Sequence, residues 1–212
     1  MNPKLLTIAV ALLSLISNRI EAQEPNESVR TNYLRSSDIF QFTNVWTIHL
    51  RFTPEHWQAM EPRQAGGPPM GSRRGSFLQG PEGGRNGIAA AFGIAFDYVR
   101  ADLEFGTNKF KDVGVRYKGN GTFLSSREGL KRSLKLDLNQ FVKGQKLAGM
   151  SQLNLHNSVR DPSGMNEAIA YRLFREGGVP APRTAYAKVY VTVPGKHDRH
   201  YFGLYNLVED VG

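Results

Sequence analysis

The sequence contains no cysteine among its 212 residues. That absence excludes disulfide staples, a zinc ribbon and a thiol nucleophile, and it leaves no cysteine to carry a lipid anchor. Long apolar runs are lacking as well. Leu5–Ser17 is an uncharged apolar stretch of 13 residues, short of the roughly 18–20 that span a bilayer. Neither GxxxxGK[ST], GxGxxG nor GxSxG occurs. The five histidines (His49, His56, His156, His197, His200) form no HxxxH or HExxH spacing, so no metal site is assigned. The acidic residues show no pairing that would support a glycosidase.

What is present suffices for a folded domain. Apolar residues make up 40% of the chain and aromatics 10%, enough for a hydrophobic core. The formal charge is +8. Within Met1–Ala22, Lys4 and Arg19 stand against Glu21, a net of +1, which leaves +7 for the remainder. A basic surface invites phosphorylated ligands or an anionic envelope, but a solvated positive excess is the plainer reading, and no nucleic-acid partner is predicted.

The first 22 residues read as an export signal. Lys4 gives a small positive start, Leu5–Ser17 the apolar run, and Ile20-Glu21-Ala22 a cleavage site. The expectation is a protein secreted or placed in the periplasm or cell envelope, with no transmembrane segment after signal removal. Residues 23–44 form a polar lead-in, and 45–212 form the domain. Within it, residues 64–86 are dense in Gly, Pro and Arg and poor in apolar side chains, so a mobile insertion is expected there.

Val45–Phe52, Val99–Phe105, Val113–Lys118 and Leu134–Leu138 alternate apolar and polar residues, the period of half-buried strands. Ser151–Leu155 reads as another short strand. Pro54, behind a capping Thr53, opens a short helix that turns Trp57 and Met60 inward. Asp161-Pro162 is a strong helix start. Met165, Ala168, Ile169, Leu173 and Phe174 then recur at helical spacing until Gly177-Gly178. Ala187–Val193 and Tyr201–Glu209 flank Pro194-Gly195 as a hairpin. The fold class expected is α+β: an antiparallel sheet with one long helix packed on it.

The candidate chemistry lies around Gly119-Asn120-Gly121-Thr122. Glycines there let backbone N–H groups approach a phosphate, although a turn between strands needs glycine anyway. Arg116 and Lys118 precede this turn. Lys131, Ser133 and Lys135 follow on one face, opposite the leucines. Cations converging on a glycine turn suit a nucleotide or another anion; a solvent-facing strand with ordinary lysines explains them equally. Glu167, early in the helix, could pair with a strand lysine, as the helix–strand ion pair of kinases does.

Val113–Leu138 (VGVRYKGNGTFLSSREGLKRSLKLDL) and Gly149–Glu176 (GMSQLNLHNSVRDPSGMNEAIAYRLFRE), followed by Gly178–Tyr190 and Gly203–Glu209, resemble four ordered blocks of the CotH kinase family. The resemblance implies the nucleotide-covering N-terminal lobe of a kinase-like fold. The family's best-known members look like ATP-dependent, Mg²⁺-requiring Ser/Thr kinases of spore-coat proteins, and others in fungi serve as surface invasins. By this resemblance Lys135, with Lys131 as the second candidate, reaches the nucleotide phosphates and Glu167 orients it. Gly119, Asn120, Gly121 and Thr122 lie near the phosphates, and Leu207–Glu209 near the hinge.

In the family the carboxylates that hold Mg²⁺ and orient the attacking hydroxyl follow the Gly203–Glu209 block. This chain ends at Gly212, and Asp97, Asp102, Asp112, Asp137 and Asp161 are dispersed upstream. The expectation is therefore the nucleotide-binding half of an exported kinase, with no catalytic residue of its own and inactive as it stands. The alternative is a non-catalytic module for surface attachment or envelope and coat assembly. The protein substrate or surface partner is not readable from the sequence.

Overall fold

The computed structural model describes residues 34–62, 96–119, 121–126 and 128–211. The expected signal peptide, residues 23–33 of the lead-in, the 64–86 insertion and Asn120 lie outside the described residues.

The chain order is α1 (Ser36–Ile39), β1 (Val45–Arg51), α2 (Pro54–Ala59), β2 (Val99–Phe105), β3 (Asn108–Tyr117) and α3 (Gly121–Ser126). It continues with β4 (Leu134–Asp137), β5 (Gln152–His156), α4 (Asn166–Glu176), β6 (Thr184–Val193) and β7 (His197–Glu209). The seven strands form one mixed sheet, in the order β1-β2-β3-β4-β5-β7-β6, that closes on itself. Every neighbouring pair is antiparallel except β1 and β6, which run parallel from Val45↔Tyr186 to Arg51↔Thr192.

The period-2 pattern explains the core. On β2 the residues Val99, Ala101, Leu103 and Phe105 are buried while Arg100 is exposed. Leu136, Leu153, Leu155, Val189 and Leu207 join them from the other strands, each fully buried. Side chains from all sides of the closed sheet fill its interior. Thr53 caps α2 by accepting from the His56 N–H at 3.2 Å. Trp57 then packs edge-on to Phe52 at 5.3 Å and Phe202 at 5.7 Å. Residues 34–44 carry α1, whose Ile39 is buried and accepts from the Trp46 indole at 2.9 Å.

The expected α+β arrangement, an antiparallel sheet with one long packed helix, is overturned. The sheet is mixed and closed, and α4 is 11 residues long. Asp161 does not begin it. Its carboxylate instead accepts from the N–H and hydroxyl of Ser163 and from the Asn166 N–H at 2.6–3.1 Å, which spends 161–165 on a turn. The helical apolar row is not a buried face either. Met165, Ile169, Leu173 and Phe174 are 40–61% exposed, and only Ala168 is buried. The physical reason is closure: a sheet that joins its own edges fills its core from within and needs no helix to cover it. Polar contacts moor α4 instead. Arg175 donates to the Pro182 carbonyl, and Arg172 lies over the Phe42 ring. Among the described residues no helix is long and apolar enough to cross a membrane.

Candidate functional site

Cross-strand register assembles the site. Arg116 lies opposite Lys135, Lys135 opposite Asn154, and His156 opposite Asn206. Lys118 continues the β3–β4 pairing through its N–H to the Ser133 carbonyl at 3.0 Å. Since Val115, Tyr117, Leu134, Leu136, Leu153 and Leu155 point into the core, the alternate positions Arg116, Lys118, Lys135, Asn154 and His156 share the outer face.

On that face the Lys118 ammonium donates to Asn154 Oδ1 at 2.8 Å and lies 2.9 Å from His156 Nε2. His156 Nδ1 lies 2.7 Å from Glu167 Oε1. A cleft of about 430 Å³ opens beside this chain of contacts, with Lys118, Gly119, Thr122, Arg160 and Glu167 among its walls. Arg160 donates to Ser125 Oγ at 3.2 Å from across the cleft.

The loop that forms one wall is fixed from below by Asn157, which is 2% exposed. Its amide donates to the Lys131 carbonyl, and its Oδ1 accepts from Ser133 Oγ and the Val159 N–H. At the opposite lip the chain bends at Gly119, with φ +93°. A Cβ there would stand 2.2 Å from Thr122 Oγ1, so both the backbone angle and the space demand glycine. The expected turn then runs into α3 rather than directly to the next strand.

Burial pushes the Lys118 ammonium down to about 8, with the Lys135 charge acting in the same direction and Asp210 and Glu167 opposing it. Burial alone would raise Glu167. Hydrogen bonds from His156, Tyr171 and Asn206 outweigh it and hold the carboxyl below its ordinary range.

The structure brings Lys118, Gly119, Gly121, Thr122 and Glu167 to one place but separates the two lysines first in line for phosphate. Lys135 pairs with Asp210 at 2.5 Å, not with Glu167. Lys131 lays its stem over Gly203, where a Cβ would be 3.0 Å from Cδ and Cε, with its ammonium 5.6 Å from the Tyr205 ring. Arg116 donates to the Tyr117 carbonyl and lies over Tyr98.

Sequence reasoning missed Asn154, His156, Asn157 and Asp210. The alternation of Asn154 and His156 with the leucines of β5 was the available signal for the first two. Among the described residues no three His, Asp or Glu side chains gather as a metal site.

The family model described as "CotH kinase protein" matches residues 115–212. That span contains every candidate residue discussed above, and it is similar to the CotH family. No curated protein matches the chain.

Proposed function

We propose that this chain is the nucleotide-holding part of an exported CotH-like atypical Ser/Thr protein kinase. One observation carries the reading: an amine, Lys118, stands at a cleft of about 430 Å³ beside a glycine bend, oriented by Asn154 and by a His156–Glu167 couple. A cleft of this size falls within the ~300–1,000 Å³ typical of ligand sites. Lys118 and Arg160 offer charge and donors to a phosphate chain, and Gly119 leaves the backbone open to it. These residues fit the phosphates of ATP.

Mg²⁺ is a poorer fit. It needs oxygen ligands in near-octahedral geometry, and the described residues gather no cluster to supply them. The reading therefore gives this chain nucleotide holding, with phosphoryl transfer left to carboxylates outside the described residues. Export rests on Lys4, the apolar run Leu5–Ser17 and the Ile20-Glu21-Ala22 site.

A second reading, a non-catalytic attachment or coat-assembly module, is favoured by the solvent-exposed apolar row on α4. Binding of a fluorescent ATP analogue, with and without Mg²⁺, separates the two. The nucleotide reading expects saturable binding that Lys118→Ala abolishes while the fold, checked by circular dichroism, persists. Equal binding by Lys118→Ala, or none by the folded parent chain, overturns it.

A further inference from the structure

Glu167 can only accept hydrogen bonds, because its carboxyl is ionised. The His156 nitrogen 2.7 Å from it, Nδ1, must therefore carry a proton. In the neutral ring the other nitrogen, Nε2, is then a lone pair, and it faces an ammonium that can only donate. The contacts form one directed chain: Lys118 donates to His156, and His156 donates to Glu167. Each neutral or charged form is specified by its neighbour.

A second proton on His156 breaks the chain at one point only. The Nδ1–H···Glu167 bond survives, but Nε2–H then confronts the Lys118 ammonium, donor against donor and cation against cation. Lys118 keeps Asn154 as a partner and has open cleft on its other side. The remaining charges around it are Arg116 on β3, Lys135 on β4, Glu167 on α4, Asp210 after β7, and Arg160 and Asp161 on the cleft loop. None of these sits between Lys118 and His156.

We propose that His156 is a positioning residue that holds Lys118 back in its neutral form and, on protonation, releases the ammonium to the anionic ligand of the cleft. This rests on the cleft being an anion site, as argued above. By linkage, an anion bound to the released Lys118 favours protonated His156, and acid strengthens anion binding.

The experiment uses the full chain and trimetaphosphate, an anion whose charge does not change over the range studied. Its affinity, measured calorimetrically from about pH 7 down to about pH 5 where imidazoles titrate, is expected to rise by roughly tenfold. His156→Gln keeps an acceptor toward Lys118 but cannot titrate; its affinity is expected to change less than about twofold over the same range, with all other charged groups shared.

Imidazole nitrogen resonances of the unmodified protein supply a reading that needs no variant. They are expected to show His156 in the Nδ1–H form at neutral pH and to move its titration upward when trimetaphosphate is added. A flat affinity in the parent chain, the same rise in His156→Gln, or an Nε2–H ring each overturns the role of His156 while leaving Lys118-dependent binding intact. Absence of binding at every pH overturns the anion site itself, and this inference with it.

Discussion

Lys135 and Asp210 form an ion pair of 2.5 Å with both side chains at most one-fifth exposed, joining the middle of β4 to the segment just past β7. The pair has two consequences. It holds the Lys135 ammonium out of the cleft, and its carboxylate raises the proton affinity of Lys118 against the effect of burial.

Asp210→Asn is therefore expected to act on both. Leaving Lys135 without a counter-charge costs on the order of 2 kcal/mol of stability, read from urea unfolding. Lys118 titrates further below its present value of about 8, read from its side-chain resonances. An unchanged Lys118 titration would show that Asp210 does not act on it.

Lys118 also links stability to pH. Its folded-state value of about 8 is depressed from the ordinary 10.5. Between those two values the unfolded chain binds more protons than the folded one, so this group's contribution to stability rises with pH across that window and is least favourable below about 8. The rise amounts to roughly 3 kcal/mol. Stability profiles of the parent chain and Lys118→Met, taken side by side from neutral pH upward, are expected to differ by this rise, which the variant lacks.

Asn157 fastens the loop at 157–161 to the 131–133 segment. Asn157→Ala removes the side-chain bonds to Ser133 Oγ, the Lys131 carbonyl and the Val159 N–H while keeping the backbone N–H bond to Ser133 Oγ, and is expected to cost about 1–2 kcal/mol. Because that loop is a wall of the cleft, nucleotide binding should weaken in the folded variant. A lower denaturant midpoint with undiminished binding would separate the loop from the site.

Leu173 and Phe174 test the place of α4. Both are more than half exposed, so Leu173→Lys and Phe174→Lys should alter stability by no more than about 0.5 kcal/mol. A loss of several kcal/mol, measured by thermal unfolding, would mean that this helix buries its apolar row after all.

Much of the fold was open to a reading of the residues alone. The alternation in Val99–Phe105 and Leu134–Leu138 placed strands and their inner faces, and Thr53 with Pro54 placed α2. Pro194-Gly195 marked the turn of the last hairpin. The block pattern from Val113 onward pointed to the CotH family. The error over α4 came from treating apolar residues at helical spacing as a buried face. Spacing shows that such residues share a face, not that anything covers it.

The site was legible only in part. Glycines and cations drew attention to 116–135 and to Glu167, but the pairing of Lys135 with Asp210 and of Glu167 with His156 was not legible. Alternation along a strand depends on neighbours in the chain, so the sequence by itself determined which residues face inward on each strand. Which strands meet depends on residues far apart. Ile48 lies beside Val189, closing the sheet and freeing α4 from its expected covering role. Lys135 lies beside Asn154, and with Lys118 one step further along, Nζ reaches His156. Those pairings follow from how the whole sheet closes around its core, and only the tertiary structure decided them.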